Sequence, residues 1–103
     1  MAIIHVSKDT FASEVLNSAE PVLVDFFATW CMPCKMMGRV LEQLTQEDPS
    51  MKIVKIDIDE NPELAAQYHV MSIPTFMTFK DGKAVAIEVG GQRPEKLKQM
   101  MGR

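Results

Sequence analysis

Positive charge is in short supply in this 103-residue chain: 11 Lys and Arg stand against 14 Asp and Glu, a formal net charge of -3. Nucleic-acid binding needs a basic face, so charge of this sign argues against DNA or RNA as a partner. Long hydrophobic runs are also missing. The longest apolar region, Val22 to Met32, is interrupted by Asp25 and falls far short of the roughly 18 residues a membrane span requires. Met1 to Asp9 has no basic stretch and its apolar run stops at His5, which is unlike a signal peptide. Repeats, Gly/Ser linkers and charge blocks are absent, and a single domain over residues 1–103 is expected. With 47% hydrophobic and 24% charged residues, the composition is that of a globular chain. A chain this long buries enough surface to fold without staples, so its two cysteines need a reason other than stability. A soluble, cytoplasmic monomer is expected, and in that compartment a Cys pair is more often catalytic or metal-binding than structural.

Punctuation is sparse but well placed, at Glu20-Pro21, Asp48-Pro49, Asn61-Pro62 and Asp81-Gly82. Ile3–Val6 reads as a short strand, after which Ser7 is expected to cap a helix burying Phe11, Val15 and Leu16. Val22–Ala28 is apolar on both parities except at Asp25, as a central strand covered on both faces should be. A helix starting near Pro33 carries Met37, Val40, Leu41 and Leu44 on one side and stops before Pro49. Ile53–Asp59 reads as a strand, and Asn61-Pro62 as the capped start of a short helix reaching Tyr68. Thr75–Lys80 and Ala84–Val89 flank Asp81-Gly82, a tight hairpin with positive φ at the turn. Pro94 opens a last helix with Leu97, Met100 and Met101 inward. The class is α/β, in the order βαβαββα, with a mixed sheet and helices on both faces. The 9 methionines read mostly as gap-filling core.

Trp30-Cys31-Met32-Pro33-Cys34-Lys35 falls where the central strand gives way to the second helix. Cys31 therefore stands at a helix N-terminus with Cys34 one turn inside. Residues three apart on a helix face the same way, roughly 5–6 Å between Cβ atoms, and a small adjustment allows a disulfide. Free backbone N–H groups and the helix dipole favour negative charge at Cys31, lowering its pKa towards the thiolate that attacks disulfides. Pro33 suits the first turn and stiffens it. Asp25 carries its own argument: in an apolar central strand its charged form is expensive, so it should titrate above about 3.9 and suit proton transfer near neutrality.

Val24-Asp-Phe-Phe-Ala-Thr-Trp-Cys-Met-Pro-Cys-Lys35, Val54-Lys-Ile-Asp-Ile-Asp59, Ser72-Ile-Pro-Thr75 and Phe79-Lys-Asp-Gly-Lys83 together resemble the thioredoxin family, along essentially the whole chain. The resemblance implies a disulfide reductase in which Cys31 attacks, a mixed disulfide forms and Cys34 resolves it. It implies that Asp25 lies behind Cys34 and assists its deprotonation, with Lys55 close to Asp25. It implies a cis Ile73-Pro74 bond facing the disulfide, leaving the backbone of Ile73 to pair with an extended substrate. Trp30, Met32, Gly90 and Gly91 are the remaining candidates for substrate contact. No bound cofactor is implied; the redox group is the Cys31–Cys34 pair, recycled by a flavin-dependent thioredoxin reductase drawing on NADPH. Ribonucleotide reductase, peroxiredoxin and methionine sulfoxide reductase are the implied types of protein substrate.

Two positions depart from the family pattern. Met32 replaces the usual Gly, adding apolar area but no charge, which favours a reductant over an oxidant. Phe27 replaces the usual Trp and lacks an indole N–H to support the active-site loop. Three other readings stay open. One Cys-x-x-Cys is half of a zinc shell, but His5 and His69 have no paired spacing to complete it; an iron–sulfur cluster shared by two chains is the related alternative. The fold could serve as a redox-independent docking module, or as an oxidant or isomerase, which a reduction potential separates from a reductase.

Overall fold

Alternation along the strands sorts the side chains into two layers, and the architecture follows from that sorting. A computed structural model describes residues 3–103 as strands β1 (Ile4–His5), β2 (Val22–Phe27), β3 (Lys52–Asp57), β4 (Thr75–Lys80) and β5 (Lys83–Val89). The helices are α1 (Met32–Glu47), α2 (Pro62–Gln67) and α3 (Pro94–Met100), and a single π-helical turn covers Ala12–Leu16. The expected βαβαββα order runs from β2 to α3, preceded by β1 and the π-helical turn. The sheet order is β1-β3-β2-β4-β5; the first three strands are parallel, and β4 and β5 run antiparallel to their neighbours.

β2 lies at the centre and is buried at every position. Successive residues of a strand point to opposite faces. Val22, Val24 and Phe26 pack with Val54, Ile56, Phe11, Val15 and Leu64, under the π-helical turn and α2. Leu23 points the other way, to Met37, Leu41 and Leu44 of α1 and Leu97 of α3. Each such side chain contributes roughly 1.5–3 kcal/mol by leaving water. Asp25 shares the parity of Leu23 and so belongs to the α1 side of the sheet.

Both expected side-chain caps are absent. Ser7 does not cap the first helical segment: its Oγ accepts the Asp9 N–H at 3.2 Å in a local turn, and Phe11 is the residue before the segment. That segment closes with a π-type bond, Asn17 N–H donating to the Ala12 carbonyl at 2.9 Å. Asn61 precedes α2, but its Oδ1 accepts the Lys8 N–H at 2.9 Å and its Nδ2 donates to the Asp57 carbonyl at 3.1 Å. The side chain thus ties the segment after β1 to the end of β3. Four methionines, at 37, 51, 77 and 101, are buried as expected, whereas Met32, Met36 and Met71 are largely exposed.

Asp81 and Gly82 have φ of 53° and 79°, the double positive φ of a tight hairpin turn. A Cβ on Gly82 would also stand 3.4 Å from the Leu16 carbonyl oxygen. Gly82→Ala is therefore expected to lower stability by about 1–2 kcal/mol, the cost of a left-handed L-residue. A urea midpoint no lower than wild type would show that the turn relaxes at no cost.

Candidate active site

The end of β2 delivers the chain directly to the start of α1, and Cys31 occupies the N-cap there. Its Sγ accepts the Cys34 N–H at 3.2 Å, while its carbonyl accepts the Lys35 N–H at 3.1 Å. Cys31 and Cys34 are joined as a disulfide with Cα atoms 5.2 Å apart, inside the range a disulfide demands. Both cysteines are buried in a small cluster with Phe27 and Ala28, against which Ile58 and Ile73 pack. When the bond opens, the N–H that reaches Cys31 Sγ is in place to hold a thiolate, and the helix dipole adds to it.

Across from the disulfide, the Ile73-Pro74 bond is cis. The Ile73 carbonyl oxygen stands 4.0 Å from Cys31 Sγ. Pro74 is buried, and its carbonyl accepts the Gly90 N–H at 2.8 Å, so the turn after β5 is fastened to the cis-proline loop. Gly90 has φ of 89°, a conformation open to Gly and costly for other residues. Gly91 approaches Met37, whose Sδ accepts the Gln92 N–H at 3.4 Å. Ile73, Pro74, Gly90 and Gly91 are thereby gathered on the disulfide side. Trp30 and Met32 flank Cys31, each about 65% exposed, and Pro33 is also exposed. Trp30 is thus surface, not core.

Asp25 is fully buried, and neither of its carboxyl oxygens has a hydrogen-bond partner among the described residues. Along β2 it sits between Leu23, packed on α1, and Phe27, packed on the cysteines. Burial pushes its pKa from 3.8 up to about 7, with the Lys55 ammonium pulling the other way. Lys55 is the register partner of Asp25 on β3, and its Nζ lies 4.5 Å from the centre of the Phe27 ring. A carboxyl poised near neutrality on the α1 side of the sheet can take or give a proton at ordinary pH.

Sequence reasoning missed three contacts. Asp59 Oδ2 accepts the Trp30 indole N–H at 2.8 Å. This bond ties the residue before Cys31 to the segment that follows β3. Met37 and Gln92 form the sulfur contact described above. Phe27 holds Lys55 through its ring face, a cation–π contact. No local signal marks these pairs, because their members are separated by 28 to 55 positions in the chain.

The thioredoxin family model matches residues 2–103. A thioredoxin of Bacillus subtilis is 47% identical over 104 aligned residues, covering all of this chain and 98% of the relative. A thioredoxin of Mycobacterium tuberculosis strain H37Rv is 49% identical over 92 residues, 88% of this chain and 79% of the relative. Thioredoxin 1 of a Nostoc species is 45% identical over 101 residues, 97% and 94% of the two chains. The chain belongs to the thioredoxin family, a thiol–disulfide oxidoreductase whose redox centre is the Cys31–Cys34 disulfide.

Proposed function

We propose that Cys31 is the attacking thiolate, Cys34 the resolving thiol and Asp25 the group that accepts the Cys34 proton. The Cys31 thiolate attacks a substrate disulfide and forms a mixed disulfide, releasing one substrate thiolate. Cys34, deprotonated by Asp25, attacks Cys31 Sγ, which closes the internal disulfide and releases the second substrate thiolate. Two electrons pass from the dithiol to the substrate. The observation that carries this assignment is the N-cap geometry, in which Cys31 Sγ receives the Cys34 N–H and faces the Ile73 carbonyl. Lys55 tunes Asp25, and Pro33 keeps the first turn of α1 rigid. Pro74 turns the Ile73 backbone towards an incoming extended segment. Trp30, Met32, Gly90 and Gly91 form the docking surface around it.

The same reading assigns the chain, acting as one unit over residues 1–103, a monomeric role in the cytoplasm. Its oxidised pair is reset by an NADPH-dependent flavin thioredoxin reductase. Its substrates are protein disulfides of the ribonucleotide reductase, peroxiredoxin or methionine sulfoxide reductase type. Among the described residues no helix is long and apolar enough to cross a membrane. The test couples the purified chain to a bacterial thioredoxin reductase and follows NADPH consumption on adding a protein disulfide. Steady turnover is expected; an oxidised pair that the reductase cannot reset, or a reduced pair that leaves the protein disulfide intact, sinks the reading.

Met32 is uncharged and points off the first turn of α1, so Met32→Gly should move the reduction potential by less than about 30 mV, roughly 1.4 kcal/mol for two electrons. Its exposed thioether is docking surface, and thioethers adapt to several partner shapes. The ratio of turnover on two unrelated protein disulfides should therefore change. Equilibration with glutathione beside competition kinetics decides this, and a large potential shift with an unchanged ratio reverses the assignment.

A further inference from the structure

The cleft between α1 and the β1–β3 edge of the sheet gathers cations that the disulfide chemistry does not use. Lys35 and Arg39 lie one turn apart on α1, on the same face. Opposite them, His5 of β1 and Lys55 of β3 are register partners. All four line one cavity of about 430 Å³, together with Glu42 and Gly38. A Cβ on Gly38 would stand 3.7 Å from Lys55 Nζ. A side chain larger than alanine at that position would crowd the ammonium.

Charge balance makes this cleft unusual within the chain. Five ion pairs engage Lys8, Lys52, Lys96, Lys98 and Arg103. Lys35, Arg39 and Lys55 form none with a described residue, and neither do Lys80, Lys83 and Arg93; what sets the first three apart is that they line one cavity. Three cations thus face one another across a cavity whose single acidic lining group is Glu42, in a chain of net charge -3. An arginine fork and two lysine ammonium groups around a pocket of this size suit a phosphate-class oxyanion, the arginine by paired N–H donors and the lysines as point charges.

We propose that the cleft lined by Lys35, Arg39, Lys55 and His5 binds a phosphate-class oxyanion, and that its occupancy is transmitted through Lys55 to Asp25. His5, Lys55 and Asp25 occupy one row across β1, β3 and β2. On the other side of Asp25 the register partner is the apolar Phe76 of β4, and α1 contributes the Cys34 sulfur above the same face of the sheet. Lys55 is therefore the cation that favours the Asp25 carboxylate. An anion seated beside its ammonium offsets that influence and adds negative charge of its own, so the carboxyl holds its proton more tightly. Through the proton-accepting role assigned to Asp25 above, an occupied cleft would slow resolution at a given pH.

Inorganic pyrophosphate is the probe, titrated into the oxidised protein at ionic strength held constant with chloride. The amide signals of His5 and Gly38 and the carboxyl carbon signal of Asp25 are followed by NMR. Saturable movement of the amides is expected, with the Asp25 titration moving up by about half a pH unit. Lys35→Gln and Arg39→Gln should each weaken binding by about tenfold or more. A response that does not saturate, or that chloride alone reproduces, overturns the site. Saturable binding that leaves the Asp25 titration in place overturns the coupling. Because no thiol turns over in this measurement, either failure is distinct from a failure of the roles assigned to Cys31 and Cys34.

Discussion

Cys31→Ser is expected to lower reduction of protein disulfides by more than about a thousandfold, because a hydroxyl at this N-cap cannot supply the thiolate that disulfide exchange requires. Cys34→Ser should fail in a different way. Cys31 keeps its bond from the backbone N–H of residue 34, which does not depend on the side chain there, so the first attack proceeds. Without a second sulfur the mixed disulfide has no internal route to release. Mass spectrometry should then find one equivalent of substrate held on Cys31, and in a cell extract the trapped proteins identify themselves. Selective alkylation gives the opposing outcome: if Cys34 in the reduced protein reacts faster than Cys31 at mildly acidic pH, the two roles are exchanged.

Asp25→Asn should stabilise the oxidised protein increasingly as pH rises from about 4 to above 7. The carboxyl titrates near 3.8 when unfolded and about 7 when folded, so the folded state binds its proton more tightly. Stability tied to that proton is complete below the unfolded value and is lost as pH climbs through the folded value. The gap corresponds to about 4 kcal/mol, which the amide does not lose because it does not ionise. The buried amide has unmet hydrogen-bonding groups of its own, but their cost is independent of pH and leaves the slope intact. Denaturant midpoints of both oxidised proteins at several pH values measure it, and a mutant advantage that stays flat or shrinks contradicts the buried carboxylate. Turnover should fall by at least about tenfold, less than the roughly hundredfold or more that a positioned proton acceptor supplies, because solvent bases replace part of it.

Features written in contiguous residues were legible before any fold was known. β2 shows its central position by being apolar on both parities, and only a strand covered on two sides tolerates Val22 to Phe27 without a polar face. Asp25 stands out against that background because nothing else in the run is polar. The Cys31–Cys34 spacing and Pro33 place the disulfide at a helix start, and Asp81-Gly82 announces its hairpin. What escaped was set by partners far away in the chain. Asn61 is a sound local cap, yet the Lys8 N–H competes for its oxygen from 53 residues away. Ser7 begins a turn that its own hydroxyl satisfies within two residues, so no cap is left for the segment beyond. The cis state of Ile73-Pro74 came from family resemblance alone, since base rates for X-Pro bonds favour trans.

The two outer strands of the sheet differ in a way that bears on how the molecule behaves in crowded solution. An unpaired strand edge is a template onto which another chain can add, and proteins blunt it with shortness, charge or irregularity. β1 is brief, with two residues in ladder, and offers little to copy. β5 runs for seven residues and carries half-exposed Val85, Ile87 and Val89 along one side. Its protection is of the other kinds: Lys83 opens the strand, and its pairing with β4 shifts register at Thr78–Phe79, a kink that spoils a flat edge. Colloidal stability therefore depends more on the chemistry of β5 than on any other strand, and a charge lost there costs solubility before it costs folding.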